Sequence, residues 1–401
     1  MPSKDFLREN KLIIGGCAIP RPLLYVEIKM ENYKLACPCL FGVEGLVADE
    51  LRKMEAPGVE AQNGRVLFDG SDEMLARANL WSRFGERVLV WLGEFEARSF
   101  EELFQGVRAL PWERWIGKQD AFPVKGSSLN SKLASIPDCQ AIIKKAVVER
   151  LKQKYSLNWF EETGPRFQIQ FLILKDRASL MIDTSGIGLH KRGYRANSAE
   201  APIRETLAAA MVYLSRVRHD ANLIDPFCGS GTILIEGALY AKNMAPGRNR
   251  RFAAEEWNCI PPEVWKRERE RARSMEISDA PFQAHGYDID GAAVSLTREN
   301  AVKAGVADRV YAEKRDISEF RAEGEYGCVI CNPPYGERLL DLKQAQELYR
   351  TMGRVFERRH GWSYSVISPD ETFEICFGCA ADRRRKLYNG MIKCQYYMFY
   401  K

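Results

Sequence analysis

No apolar run in this 401-residue chain reaches the roughly 18 residues that a membrane-spanning helix requires, so no membrane partner is expected. Histidine is scarce, with four residues, and neither Cys37-Pro38-Cys39 nor Cys376-Phe377-Gly378-Cys379 has a second pair at finger-like spacing. No metal site is therefore expected. Residues 1–30 lack the basic start, long apolar core and small-residue cleavage site of a secretory signal. Strong charge of either sign is also missing: 59 Lys and Arg against 54 Asp and Glu leave a formal +5. That balance permits a nucleic-acid partner without demanding one. Both common phosphate fingerprints are absent. No Lys follows Gly231 as a P-loop needs, and Glu236-Gly237 falls out of step with G-x-G-x-x-G.

What is present is a chain long enough for two or three domains, with 46% hydrophobic residues to fill their cores. Its 11 cysteines are odd in number and scattered through apparent core strands. They read as free thiols in a reducing compartment, which points to the cytoplasm.

Leu223-Ile224-Asp225-Pro226-Phe227-Cys228-Gly229-Ser230-Gly231-Thr232 reads as a buried strand entering a glycine loop and then a helix. Gly229 and Gly231 remove Cβ atoms where a ligand would approach the backbone. An acidic strand end followed by G-x-G suits a ligand with a cationic amino acid tail and a nucleoside but no phosphate, such as S-adenosylmethionine. The same pattern equally serves an ordinary tight β–α turn. Two further strands end in carboxylates. Asp288 is placed to accept both hydroxyls of a ribose, as in dinucleotide folds, and Asp316 to accept from an adenine amino group. Taken singly, each is as readily a helix cap or turn former.

A fourth strand, Tyr326 to Cys331, runs into Asn332-Pro333-Pro334-Tyr335-Gly336-Glu337-Arg338. The two prolines fix φ and donate nothing, so the Asn332 side chain and the Pro333 carbonyl become rigid acceptors beside the Tyr335 ring. Two acceptors beside an aromatic plate suit an exocyclic amine on an unstacked base; the bland reading is a rigid surface turn.

Asp225 to Thr232 and Asn332 to Leu339, in this order, resemble the class I amino-methyltransferases. With Gly188-Leu189-His190-Lys191-Arg192-Gly193-Tyr194-Arg195 and Ala201 to Ala210, the chain from about Met30 onward resembles the THUMP-domain RNA guanine-N2 methyltransferases, the group that includes the N-terminal half of bacterial RlmL. The Asn-Pro-Pro-Tyr element alone is also shared by adenine-N6 and protein glutamine methyltransferases.

The resemblance implies an α/β fold: a Rossmann-like seven-stranded class I methyltransferase sheet preceded by α+β ferredoxin-like and THUMP domains. The expected division is an extension over 1–30, with Met30 a candidate start, then a ferredoxin-like lobe over 31–95 and a THUMP core over 96–185, or from near 72 on a broader definition. A linker over 186–200 and a methyltransferase domain over 201–401 follow. The implied cofactor is S-adenosylmethionine, leaving as S-adenosylhomocysteine, held by Asp225, Phe227, Gly229, Gly231, Thr232, Asp288, Ile289, Asp316 and Asn332. Asn332, Pro333, Pro334 and Tyr335 are the implied catalytic set, acting on guanine N2 in large-subunit ribosomal RNA. Transfer RNA, adenine N6 and noncatalytic RNA binding are the alternatives.

RNA contacts are expected in three places. Lys125, Lys132 and Lys144, near Lys145 and Arg150, lie in the THUMP portion, where Ser127-Ser128-Leu129-Asn130-Ser131 reads as a polar loop. His190, Lys191, Arg192 and Arg195 form a cationic strap beside Gly188 and Gly193. Arg248, Arg250 and Arg251 cluster away from acids in the sequence. The alternative for the THUMP cations is a solvated basic face, and for the strap a solvated connector. Glu263 to Met275 reads as an exposed helix with internal ion pairs. No obligate protein partner is legible.

Overall fold

The computed structural model describes residues 32–195, 203–335 and 342–400. The extension expected over 1–30, the linker end with Ala201-Pro202, and Gly336-Glu337-Arg338-Leu339 lie outside the described residues.

The front half contains β1 (Tyr33–Pro38), α1 (Glu44–Lys53), β2 (Glu60–Gln62), β3 (Arg65–Gly70), α2 (Asp72–Trp81), β4 (Leu89–Glu96), α3 (Phe100–Ala109), β5 (Val124–Leu129), α4 (Ile136–Tyr155), β6 (Ile169–Leu174) and β7 (Arg177–Asp183). Its strands make one seven-stranded sheet in the order β2-β3-β1-β4-β7-β6-β5. β4 and β7 pair antiparallel from Leu89↔Asp183 to Glu96↔Arg177, so the two front lobes share a single ladder. The stretch from Arg83 to Gly93 suggests a strand from Arg83, but β4 starts only at Leu89. Upstream amides are engaged elsewhere: Arg83 N–H donates to Glu50 (2.8 Å) and Gly85 N–H to Ser82 Oγ (3.1 Å). Ser127-Ser128-Leu129, expected in a loop, belongs to β5, which pairs in parallel with apolar β6. A low intrinsic strand preference is overridden by the partner ladder.

The second half contains α5 (Glu205–Leu214), β8 (Asn222–Asp225), α6 (Thr232–Ala241), α7 (Pro262–Ser274), β9 (Gln283–Asp288), α8 (Gly291–Ala304), β10 (Val310–Lys314), β11 (Gly327–Cys331), α9 (Leu342–Val355), β12 (Trp362–Ser368), α10 (Phe373–Phe377), β13 (Arg383–Asn389) and β14 (Ile392–Phe399). The strand order is β10-β9-β8-β11-β12-β14-β13, with β14 antiparallel between β12 and β13. Asn389 closes the final hairpin against Ile392, so the turn proper is Gly390-Met391, with positive φ at Gly390 (+63°). That is the type II′ pattern, not the type I′ turn an Asn-Gly pair suggests.

Alternation along β8 and β11 decides the layers. Leu223, Cys328 and Ile330 face a core shared with α5, α6 and the front half, whereas Ile224, Val329 and Cys331 face a second core containing Tyr349 of α9 and Phe373 of α10. The helix expected to be exposed, α7, buries Val264, Trp265, Glu268 and Ala272. Trp257, ahead of it, stacks on Phe167 of the front half at 4.3 Å and donates to the Arg166 carbonyl (3.1 Å).

Candidate active site

The order of the second sheet reverses at β8: the chain proceeds to β9 and β10 on one side, then returns to β11 on the other. Ligands of open α/β sheets bind beyond the carboxyl ends of the strands at such a switch point. Cys328 and Val329 are in parallel register with Leu223 and Ile224, so the loops after Asp225 and after Cys331 leave the same sheet edge side by side.

The glycine loop is held from both neighbours. Asp225 Oδ1 accepts from Phe227 N–H (3.0 Å), and Cys228 N–H donates to the Tyr287 carbonyl (3.0 Å). Gly229 N–H donates to Asp288 Oδ2 (3.0 Å). Gly229 and Gly231 both have positive φ, +52° and +77°. A Cβ on Gly231 would lie 2.7 Å from Thr297 Cγ2, whereas one on Gly229 would meet nothing within 4 Å. The first glycine faces open space and the second fits against α8.

Two residues missed in the sequence brace this loop. Thr297 Oγ1 donates to the Gly229 carbonyl (2.9 Å) and Asn300 Nδ2 to the Ser230 carbonyl (2.9 Å). Both are fully buried, one turn apart on α8. Their only signal was a pair of polar residues at helical spacing on a face that otherwise buries Val294, Ala301 and Ala304.

Asp225 is 2% exposed, and burial pushes its carboxyl up to about 8, with the Asp288 charge adding to the effect. A desolvated carboxyl with a single backbone donor fits a cationic ligand group, which would restore its ionised form. Asp288 receives Gly229 N–H on one oxygen and Asp290 N–H on the other (3.0 Å). Ile289 is 66% exposed beside it. Asp316 turns one oxygen into its own loop, accepting from Ser318 N–H (2.8 Å) and Oγ (2.6 Å). Phe227 packs against the second core, and Thr232 is buried at the start of α6.

At the end of β11, Asn332 Oδ1 is buried with no hydrogen-bond partner among the described residues. An unmet buried acceptor costs about 1–3 kcal/mol, so such an atom at a switch point marks where a donor belongs. Pro333 is buried and Pro334 half-buried. The Tyr335 ring is partly buried against the first core, and its hydroxyl accepts from Asn389 Nδ2 (2.7 Å), so the final hairpin fixes the aromatic side of the loop. Asn389 was also missed, because hairpin and loop are 54 residues apart.

Most cations expected to meet RNA prove to be engaged within the protein. Arg192 is 3% exposed and pairs with Glu236 of α6. Arg195 donates to Thr232 Oγ1 and the Ile203 carbonyl, bracing α6. His190 meets Glu86 at 3.0 Å. Arg248 pairs with Glu276, and Arg250 donates to the carbonyls of Ile187, Gly188 and Lys191. Lys144 pairs with Glu162 over the Phe122 ring. Arg192 is too buried to meet RNA and is corrected to a structural role; the others are braced by acids and carbonyls that are mostly far away in the chain. Lys125, Lys132, Lys191 and Arg251 remain exposed.

A seven-stranded sheet of this order, with a glycine loop and an Asn-Pro-Pro-Tyr loop at its switch point, defines a class I S-adenosylmethionine-dependent methyltransferase. Family profiles agree with it over nearly the whole chain. Residues 34–89 match the RlmL ferredoxin-like domain, 97–183 the THUMP domain and 192–398 the RMKL-like methyltransferase domain. The chain belongs to this RMKL-like methyltransferase family.

It is 42% identical over 375 residues to YpsC of Bacillus subtilis (strain 168), a provisionally named RNA methyltransferase, covering 92% of this chain and 97% of that one. A Listeria monocytogenes protein described as a predicted N6-adenine-specific DNA methylase is 43% identical with a TM-score of 0.88, over 93% of this chain and 97% of its own. SMU.472, provisionally named a methyltransferase and crystallised with S-adenosylhomocysteine, is 42% identical with a TM-score of 0.88, over 92% and 98%.

Proposed function

We propose that this enzyme methylates the exocyclic N2 amine of a guanine in RNA, with large-subunit ribosomal RNA as the substrate class. The observation that carries the reading is Asn332 Oδ1 at the end of β11, beside the glycine loop, buried and without a hydrogen-bond partner among the described residues.

The cofactor supplies an electrophilic methyl group; the remaining task falls to the chain's own residues. Guanine N2 is a weak nucleophile because its lone pair is delocalised into the ring. Asn332 Oδ1 and the Pro333 carbonyl accept hydrogen bonds from the amine, turn its lone pair out of the ring plane and stabilise the positive charge that grows on nitrogen. The exposed part of Tyr335, its ring held by Asn389, orients the base. Asp225 takes the cofactor's ammonium group, Asp288 its ribose, and the exposed side chain of Ile289 packs against its base, with Asp316 at the rim. Gly229 gives the closest backbone approach, while Phe227, Gly231 and Thr232 shape the cradle. Lys125, Lys132, Lys191 and Arg251 supply phosphate contacts that position RNA without reading its sequence.

The RlmL ferredoxin-like and THUMP matches support an RNA substrate, and YpsC's name agrees. The ten described cysteines are all free thiols, which suits the cytoplasm. Adenine N6 is the second reading, favoured by the description of the Listeria relative. Mass spectrometry of nucleosides from wild-type and deletion strains separates the two. Loss of N2-methylguanosine from large-subunit RNA is expected. Unchanged N2-methylguanosine with loss of N6-methyladenine would transfer the assignment to the second reading.

A further inference from the structure

A cavity of about 500 Å³ lies between α1 and α2 of the front half and the ends of α5, α6 and α7. Small-molecule sites span roughly 300–1,000 Å³. This cavity is separate from the cofactor loop. α6 begins at Thr232 beside the glycine loop and reaches the cavity at Tyr240 and Ala241, about two and a half turns and roughly 12–14 Å later.

Two kinds of group line it. Trp81, Phe84, Tyr213 and Tyr240 contribute aromatic surface. Against these stands Arg83, 6% exposed, whose guanidinium lies 5.6 Å from the Tyr240 ring centroid. Its Nη2 donates to the Met244 carbonyl (2.8 Å), but Nη1 is buried and has no partner among the described residues. Lys53, at the rim, donates to Tyr213 Oη (3.2 Å). The one acid on the wall, Glu50, already accepts from Arg83 N–H (2.8 Å) and Ser82 Oγ (3.1 Å), and burial raises its carboxyl to about 7. Arg77, Arg218 and Arg271 also reach the wall, but Arg77 and Arg271 pair with Glu268 and Arg218 with Asp220, which leaves Arg83 and Lys53 as the cations to meet a ligand. Aromatic faces stack on a base, and a guanidinium and an ammonium lining the same cavity suit a phosphate.

We propose that this interdomain cavity is a second binding site, for a nucleoside phosphate: one nucleotide with its base on the aromatic wall and its phosphate between Arg83 and Lys53. That nucleotide is either a residue of a bound RNA strand or a free metabolite. The site stands independently of which base the enzyme methylates.

The test is isothermal calorimetry on the full chain with S-adenosylhomocysteine at saturation, so that the cofactor site is closed to titrants. Guanosine 5′-monophosphate, guanosine, inorganic phosphate and an unstructured oligoribonucleotide are titrated in turn. One saturable site for the monophosphate is expected, with guanosine and phosphate each weaker by about tenfold or more. Lys53→Glu, at an exposed rim position, should weaken the monophosphate by a similar factor, and Arg83→Met by at least as much. Should Arg83→Met fail to fold, Lys53→Glu and Tyr213→Leu carry the test. Competition between oligoribonucleotide and monophosphate identifies the occupant as part of an RNA strand, and binding of the monophosphate without competition identifies a free nucleotide. Absence of saturable heat with both, affinity unchanged by Lys53→Glu, or phosphate binding as tightly as the nucleotide would overturn the proposal.

Discussion

Asn332 and Asp225 carry opposite kinds of unmet demand, and each yields a measurement. The Asn332 oxygen lacks a donor among the described residues, so its contribution should emerge only as the substrate amine gains charge. Asn332→Ala is expected to lower turnover by about a hundredfold to a thousandfold while leaving cofactor affinity within about twofold. Single-turnover methyl transfer beside calorimetric titration of S-adenosylhomocysteine checks this, and an unchanged rate would sink the role. Asp225 lacks a cation. Its carboxyl sits at about 8 in the folded protein against about 3.9 in an unfolded chain, so across that window the folded state holds a proton that the unfolded state has released. Stability of the cofactor-free protein therefore falls as pH rises from about 4 to 8. An ammonium ligand needs the ionised form, so binding should release up to about one proton near neutral pH, and affinity should climb by up to about tenfold per pH unit below 8. Calorimetry in buffers of different ionisation heat reads the proton directly; Asp225→Asn should abolish both effects.

The strand–glycine–helix element separates fit within the protein from fit to a ligand. At Gly231 a methyl group meets Thr297 Cγ2 at 2.7 Å on a backbone with φ +77°, so Gly231→Ala should destabilise the cofactor-free fold by about 1–3 kcal/mol. At Gly229 the same methyl meets nothing, so Gly229→Ala should cost less stability and act mainly by filling the space a ligand needs. Thermal unfolding with and without S-adenosylhomocysteine distinguishes them: the first variant melts lower in both states, and the second chiefly loses the shift on ligand addition. This element was legible in the sequence because its signals are local, an apolar run, two glycines and a helical repeat within twenty residues. So were the carboxylates ending β9 and the prolines after β11. The braces from Thr297, Asn300 and Asn389 were not, since each acts on a loop from 54 to 70 residues away. The β5 strand was hidden for the same reason: its ladder comes from β6, not from its own side chains.

Across the whole molecule, the front and catalytic halves share one hydrophobic core and are tied by buried ion pairs whose members the sequence presented as exposed charge. Charge was legible but burial was not, because Arg77 meets Glu268 191 residues later and Arg192 meets Glu236 44 residues later. The Arg192 junction gives the sharper test. Its guanidinium donates to the carbonyls of Leu189 (2.7 Å) and Arg83 (2.6 Å) and faces Glu236, which also accepts from Tyr194 Oη (3.1 Å). The side chains of Arg192 and Glu236 are 2% and 0% exposed. Removing Arg192 alone leaves a buried carboxylate without its counter-charge, so Arg192→Met should destabilise by about 3–5 kcal/mol. Glu236→Gln in the same chain removes that stranded charge and should recover a substantial part of the loss. Because the core is continuous across the junction, calorimetric unfolding of the single variant should stay one transition at lower temperature. Two separated transitions would show that the halves hold independently and that Arg192 guides a docking step. A melting temperature within a degree or so of the parent would show that the pair adds little to the stability of the fold.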